Sequence, residues 1–314
     1  MIFNSKFSYK PSAEFYKIKE KILRWKKYIN YYEDDNYQID EVRKNALKAA
    51  KSIKNNIPGQ IFSISDSKLE WIRQCSSNSI VNILYIHGGG FIAGSLDNHR
   101  PFAKILSTEL DANILMIDYP LSPENKFPLQ LLNAVEAFKF MKNSTPEFYY
   151  NGIMGDSAGA NIGLSLILSS LSQEADYKPD FGIFMSGLFD LSFESHSLEY
   201  NKKNDFVLKP EFLHFCTNSY VNKCVEKKNP LLSPVYANYN QCCDLFFQVG
   251  SHEILLDDSI RCHNKALESN VNSILSIWPG MMHSFQSYYP YFPESVFAVR
   301  EIGYFVKKTI SKPG

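Results

Sequence analysis

The sequence of 314 residues lacks the cysteine patterns that mark metal-binding and disulfide-rich proteins. None of its cysteines forms a C-x-x-C pair, and none has histidines at a spacing suited to zinc, so we expect no metal site. In a chain of this length such cysteines indicate buried or free thiols in a reducing compartment. The six are Cys75, Cys216, Cys224, Cys242, Cys243 and Cys262.

Excess charge of one sign and long apolar runs are also missing. The 33 lysine and arginine residues balance 33 aspartate and glutamate residues, which argues against nucleic acid or an anionic membrane as a partner. The opening MIFNSKFSYK lacks the apolar run of a signal peptide, and no segment approaches the ~18 apolar residues of a membrane span. We therefore expect no stable membrane insertion and a cytoplasmic location, with secretion by a leaderless route left open.

From residue 60 onward, short apolar runs alternate with amphipathic stretches. This alternation predicts an α/β protein with a mostly parallel sheet and helices on both faces. Eight strands are expected, the first two antiparallel, at 61–65, 68–74, 80–86, 113–119, 151–155, 181–186, 244–250 and 273–278. Helices are expected between several of them, at 129–142, 158–173 and 256–269.

Two regions depart from this alternation. Residues 12–30 and 39–53 carry apolar side chains at helical spacing, and the first of these helices is basic on its other face. Such a helix can cover a domain or lie on a membrane surface. The stretch 190–242 is long and rich in Asn, Lys and Tyr. We expect a helical cap region over 1–58 and a catalytic domain over 59–314, with 190–242 as an insertion that contributes to the cap.

The pentapeptide GDSAG at residues 155–159 follows a strand-like run and precedes a helix-like one. This is the context of a G-x-S-x-G nucleophile elbow, whose tight strand-to-helix turn projects the serine hydroxyl from the edge of the sheet. The start of the helix also directs backbone amides and the positive end of its dipole toward the reacting centre. The pattern alone also fits a structural glycine-rich turn, but its context favours Ser157 as a nucleophile.

A second motif, HGGGF at residues 87–91, directly follows another predicted strand. Acyl transfer builds negative charge on a carbonyl oxygen, which donors fixed in advance stabilise, and consecutive glycines leave backbone amides unhindered. We assign the oxyanion hole to the amides of Gly89, Gly90 and Ala158. A phosphate-binding loop is the competing interpretation, but neither G-x-G-x-x-G nor a Walker lysine is present. His87 precedes the serine, so we expect it to shape the loop.

A serine hydroxyl needs a base to take its proton, and that base needs an acid to orient it. In the fold that carries such elbows, the order along the chain is serine, acid, histidine. The histidines after Ser157 are His196, His214, His252, His263 and His283. His283 lies in PGMMHSF, just after the last predicted strand, and we expect it to be the base.

The acid is expected in the loop after the preceding strand, which contains two candidates. Glu253 stands where that strand ends, and its position favours it as the triad acid. Asp257 remains the alternative. Asp257 and Asp258 precede a helical pattern and fit better as the N-terminal cap of that helix.

Together these motifs resemble the hormone-sensitive-lipase family of esterases, within the α/β-hydrolase superfamily. The matching stretches are YIHGGGFIAGS (85–95), DYPLSPENKFP (118–128), GDSAGANI (155–162), GSHEILLDDS (250–259) and PGMMHSF (279–285). The sequence departs from the family at two positions. Many members have Asp where Glu253 stands, although a subgroup has Glu, and Pro120 replaces an arginine, which puts local salt bridging in doubt.

The resemblance implies an α/β-hydrolase fold with an eight-stranded sheet and a helical cap over the acyl pocket. It implies a serine carboxylesterase that hydrolyses short- to medium-chain acyl esters through a Ser-Glu-His triad and a covalent acyl-enzyme, without metal or cofactor. The expected partner is a small-molecule acyl ester, and the oligomeric state stays open, a homodimer included. Three alternatives remain. These are a non-catalytic small-ligand-binding protein, a lactonase, deacetylase or amidase with the same triad, and a membrane-associated lipase.

Overall fold

The computed structural model describes residues 10–26, 37–51, 56–73, 79–172 and 176–311. Sequence predictions for Cys75, for Ile53 and for the first helix beyond residue 26 lie outside these ranges. Within them, Cys216, Cys224, Cys242, Cys243 and Cys262 are free thiols.

One eight-stranded sheet forms the centre of the described structure. Its strands are β1 (Gln60–Ile64), β2 (Ser67–Ile72), β3 (Val81–Ile86), β4 (Asn113–Asp118), β5 (Tyr150–Asp156), β6 (Phe181–Met185), β7 (Asp244–Gly250) and β8 (Ser273–Trp278). Their order is β1-β2-β4-β3-β5-β6-β7-β8, with β2 antiparallel to both of its neighbours and all other pairs parallel. The predicted mostly parallel sheet of eight strands is confirmed.

The helices of the described chain cover both faces of this sheet and extend over one edge. They are α1 (Ala13–Lys26), α2 (Ile39–Lys51), α3 (Leu96–Leu110), α4 (Leu129–Asn143), α5 (Ala158–Ser169), α6 (Ser197–Tyr200), α7 (Pro210–Tyr220), α8 (Leu256–Glu268) and α9 (Pro293–Ile310). Two short 3-10 helices lie at Pro234–Tyr236 and Phe285–Tyr288. Strands β3 and β6 are buried along their whole length because helices cover both faces, which explains their continuous apolar sequences.

The N-terminal helices contact the segment 190–242. Phe15 of α1 is buried, with its ring centroid 6.3 Å from that of Phe206, and Lys26 Nζ donates to the carbonyl of Val207 at 2.7 Å. Tyr37, just before α2, lies 5.2 Å from Phe212 of α7 between ring centroids. No helix in these described ranges combines the length and apolar character needed to cross a membrane.

A buried ion pair ties the end of this N-terminal region to the sheet. Arg100 of α3 and Glu70 of β2 are both fully buried, and Nε and Nη2 of the arginine donate to the carboxylate at 2.7–2.9 Å. The same carboxylate accepts the backbone N–H of Gly59 at 2.6 Å, and Arg100 also donates to the exposed Asp97 at 2.6 Å. Glu70 thus fixes the chain where it enters β1.

We predict that Glu70→Ala lowers the free energy of unfolding by about 3–5 kcal/mol, because it leaves a buried guanidinium without its main partner. Asp97→Asn is the matched control, since Asp97 contacts the same arginine but its side chain is 62% exposed. This control is expected to cost about 1 kcal/mol or less. Urea unfolding measures both, and equal losses for the two variants would contradict the assignment.

Candidate active site

Ser157 occupies a strained turn between β5 and α5. Its backbone has φ 52° and ψ −119°, and its N–H donates to the carbonyl of Met185 at 2.9 Å. The flanking glycines permit this turn, because a Cβ at Gly155 would lie 2.5 Å from the carbonyl oxygen of Gly159, and a Cβ at Gly159 would lie 2.1 Å from that of Ile86. A non-glycine residue at positive φ carries a cost of about 1–3 kcal/mol, and such strained positions are frequent at functional sites.

The HGGGF loop lies beside this turn, after β3. Gly89 and Gly90 have φ of +122° and +62°, and they line one cavity together with Ser157. A Cβ at Gly89 would lie 2.2 Å from the carbonyl oxygen of Ala93, so the loop cannot keep this path with a side chain there. The N–H of Ala158 lies in the first turn of α5, where backbone amides have no partner within the helix.

Buried polar groups hold the HGGGF loop in place. The backbone N–H of Gly88 and the hydroxyl of Tyr85 donate to Oδ1 of Asp156, at 3.0 and 2.7 Å. The Tyr119 hydroxyl donates to the carbonyl of His87 at 2.9 Å, and their rings stack at 4.3 Å. His87 is fully buried within this arrangement, which agrees with the expected role of shaping the loop.

His283 follows β8 and meets Glu253, which follows β7. Nδ1 of His283 lies 2.9 Å from Oε2 of Glu253, and both residues are buried. His283 lines the same cavity as Ser157, and its hydrogen bond to Glu253 leaves Nε2 as the nitrogen available to the serine. The structure therefore brings all three predicted triad residues to the carboxyl edge of the parallel strands, where such sheets place their sites.

The charges around His283 and Glu253 stabilise the protonated form of His283. Burial lowers the pKa of His283, but the hydrogen bond with Glu253 and the charges of Glu253, Asp205 and Asp156 outweigh burial and leave the pKa raised. Burial raises the pKa of Glu253, opposed by its hydrogen bond with His283. The pair consequently favours the imidazolium form once His283 has accepted a proton.

Two further hydrogen bonds hold the carboxylate of Glu253, and the sequence did not predict them. The Ser186 hydroxyl donates to Oε1 of Glu253 at 2.7 Å, and the backbone N–H of Gly250 donates to the same oxygen at 2.6 Å. Ser186 also accepts the backbone N–H of Ser284, so it joins the loop of the acid to the loop of the base. Its position directly after β6 could have indicated a site residue, but its left-handed backbone (φ 51°) could not be seen in the sequence.

Asp257 and Asp258 have other partners. Asp257 accepts the backbone N–H of Ser197 at 2.9 Å and the hydroxyl of Tyr200 at 2.6 Å. Asp258 accepts the backbone N–H of Phe189 at 2.7 Å. The expectation that they cap α8 is wrong, because the cap position is Leu255, without a side-chain hydrogen bond, and both carboxylates bind the segment after β6 instead.

The shared cavity has a volume of about 350 Å³. Apolar side chains from three parts of the chain form its wall: Val42 and Ala46 from α2, Leu188 from the segment after β6, and Leu208, Phe212 and Leu213 from α7 and the residues before it. Among the described residues that line it, the histidines are His99 and His283. No cluster of three or more metal-ligating side chains occurs in the part of the chain that the structure describes.

Fold and site together define an α/β hydrolase, and comparison with known proteins agrees. The alpha/beta hydrolase fold family matches residues 83–287. The chain is 34% identical over 225 residues to an esterase of Acinetobacter venetianus, covering 71% of this chain and 73% of that one. It is 27% identical over 270 residues to an acetyl-hydrolase of Streptomyces hygroscopicus, covering 85% and 89%.

Solved structures give the same result. The crystal structure of an esterase from the bacterial hormone-sensitive lipase family superimposes with a TM-score of 0.86 at 25% identity, covering 96% of this chain and 100% of that one. The chain belongs to the alpha/beta hydrolase fold family, and the resemblance to hormone-sensitive-lipase esterases is confirmed.

We predict that Glu253→Gln lowers the pKa of His283, because the glutamine keeps a hydrogen-bond acceptor but removes the charge that favours the imidazolium. NMR titration of the His283 ring measures this shift directly. A base acts in its neutral form, so the rate at which a fluorophosphonate modifies Ser157 should fall as the pH is lowered. The midpoint of this fall should lie at a lower pH in the variant than in the wild type. Asp257→Asn is the control, and an unchanged pKa in Glu253→Gln would contradict the coupling.

Proposed function

We propose that this protein is a serine carboxylesterase in which Ser157 is the nucleophile, His283 the general base and Glu253 the acid that orients it. The observation that carries the proposal is the buried hydrogen bond of 2.9 Å between His283 and Glu253, at a cavity that Ser157 also lines. A buried carboxylate on one ring nitrogen leaves the other to take the serine proton.

By reaction class, the chain is a carboxylic ester hydrolase. Relatives that cover more than two thirds of it are named esterase and acetyl-hydrolase, and a structure that covers 96% of it is an esterase. The presence of a candidate nucleophile, base and acid supports an enzyme over a non-catalytic binding protein on the same fold, which would have no need of the base.

The proposed reaction is a two-step acyl transfer. His283 removes the proton of Ser157 as Oγ attacks the ester carbonyl, and Glu253 stabilises the resulting imidazolium. The imidazolium then protonates the leaving alcohol, which produces an acyl-enzyme. Water, deprotonated by His283, attacks the acyl carbon of this acyl-enzyme. The bond to Oγ then breaks, the imidazolium returns its proton to Oγ, and the carboxylic acid leaves.

The amides of Gly89, Gly90 and Ala158 are proposed to stabilise the oxyanion in both steps. Positive φ at the two glycines and the helix start at Ala158 support this role. Losing one such donor raises the barrier by about 3–4 kcal/mol in a well-studied hydrolase. The dipole of α5 adds positive potential at the same place.

The cavity supports short- to medium-chain acyl esters as substrates. A volume of about 350 Å³ suits a short- to medium-chain ester, and α2 and α7 both contribute apolar side chains to its wall. We propose that α1 and α2, together with the segment 190–242, form the cap over this pocket. Lactonase, deacetylase and amidase activities would use the same residues, so substrate panels have to include them.

We expect hydrolysis of p-nitrophenyl esters to fall by about a thousandfold or more in Ser157→Ala and by about a hundredfold or more in Glu253→Ala. Asp257→Ala is the matched control and should keep most of the activity, because Asp257 binds Ser197 and Tyr200. Thermal melting verifies that each variant is folded. A folded wild type that hydrolyses none of these esters, or loss in Asp257→Ala with survival in Glu253→Ala, would contradict the proposal.

Chain length provides a second test. Rates on esters from acetate to laurate should be highest for the shorter acyl groups and fall toward laurate. Phe212→Ala removes a ring from the wall and so enlarges the cavity, which should raise the relative rate on longer acyl chains. An unchanged profile in a folded Phe212→Ala variant would show that this wall does not set the acyl preference.

A further inference from the structure

An arginine of α2 holds the loop that carries Gly89 and Gly90. Nε of Arg43 donates to the carbonyl of Ile92 at 2.8 Å, and Nη2 donates to the carbonyl of Ser122 at 2.8 Å. The first carbonyl belongs to the loop after β3 and the second to the loop after β4. One side chain from the N-terminal helices therefore joins two loops of the catalytic region.

Glu124 fixes the orientation of this guanidinium. Nη1 and Nη2 of Arg43 donate to Oε1 and Oε2 of Glu124 at 2.8 and 2.7 Å, a bidentate pair. The hydrogen bond with Arg43 lowers the pKa of Glu124 to about 2. Glu124 lies four residues after Pro120, and its ion pair is made with Arg43 of α2.

The carbonyl that Arg43 holds is closely linked to the glycine amides. The backbone N–H groups of Ile92 and Ala93 donate to the carbonyl of Gly89 at 3.2 and 3.0 Å, which closes a tight turn. Because Ile92 is a member of this turn, a shift of its carbonyl displaces Gly89 as well. The neighbouring N–H of Ser122 donates to the carbonyl of Phe91 at 2.9 Å, so both loops held by Arg43 are also bonded to each other.

The same helix forms part of the substrate cavity. Val42, Asn45 and Ala46 line the cavity on either side of Arg43 in the sequence. We propose that Arg43 is a positioning residue that couples the seating of α2 over the cavity to the alignment of the Gly89 and Gly90 amides. The inference rests on the proposed function, because it concerns the oxyanion hole of that reaction.

This role has a kinetic signature that a purely structural role lacks. Aligned donors stabilise charge that appears only in the transition state, so their misalignment lowers kcat and leaves KM nearly unchanged. Misplacement by about 1 Å at a catalytic site can cost on the order of a hundredfold in rate. We therefore expect Arg43→Ala to lower kcat by about tenfold to a hundredfold, with the largest part of the effect in kcat.

The experiment measures kcat and KM on p-nitrophenyl butyrate for wild type, Arg43→Ala, Arg43→Lys, Glu124→Gln and Lys44→Ala. Lys44 is the matched control, an exposed residue next to Arg43 on the same helix. Lysine should not replace Arg43, because an ammonium cannot reproduce the bidentate fork. Millimolar guanidinium, far below denaturing concentrations, should restore part of the kcat of Arg43→Ala by occupying the vacated position.

A fall in kcat for Arg43→Ala with rescue by guanidinium, and none for Lys44→Ala, supports the proposal. An unchanged kcat, an effect confined to KM, or a folded Arg43→Ala variant that guanidinium does not rescue overturns it. If Arg43→Ala does not fold, the kcat of Glu124→Gln tests the proposal, because this variant loosens the guanidinium while keeping the arginine. A lowered kcat supports the proposal, and an unchanged kcat overturns it. Failure of the proposed function is distinguishable, because the wild type would then neither hydrolyse esters nor react with a fluorophosphonate at Ser157.

Discussion

The active site depends on how closely α5 approaches the end of β3. A Cβ on Gly159 would lie only 2.1 Å from the carbonyl oxygen of Ile86, so the chain can make this approach only with glycine. That contact sets the serine turn directly beside the HGGGF loop, and Asp156 ties the two together through the N–H of Gly88. Because Ser157 and the HGGGF loop both adjoin this contact, backbone geometry sets the spacing between them.

The proposed acid and base require a different kind of support, since Glu253 is a fully buried carboxylate. Burying a charge is costly unless it is hydrogen-bonded and paired. Gly250, Ser186 and His283 provide these bonds, and Ser186 also receives the N–H of Ser284. The orientation of the base is thus a consequence of satisfying the carboxylate, and the loops after β6, β7 and β8 are fixed together.

The parts of the candidate site that could be predicted are those that lie in short, contiguous sequence motifs. Ser157, His283 and the glycine loop lie in short motifs directly after strands, and the alternation of apolar runs predicted the sheet. Ser186 and Arg43 were not predicted, because their hydrogen bonds join segments far apart in the chain. Asp257 and Asp258 were expected to cap α8, but backbone N–H groups of the segment after β6 bind both carboxylates.

The order of strands in the sheet also affects how the protein folds. Ser157 follows β5, the HGGGF loop follows β3, Glu253 follows β7 and His283 follows β8. These parallel strands pair across long sequence separations. Parallel pairing of distant segments has to overcome loop-closure entropy before it is stabilised, which makes folding of such sheets slow. The site therefore exists only when β3 and the strands from β5 to β8 have assembled, and the return of activity during refolding reports that step.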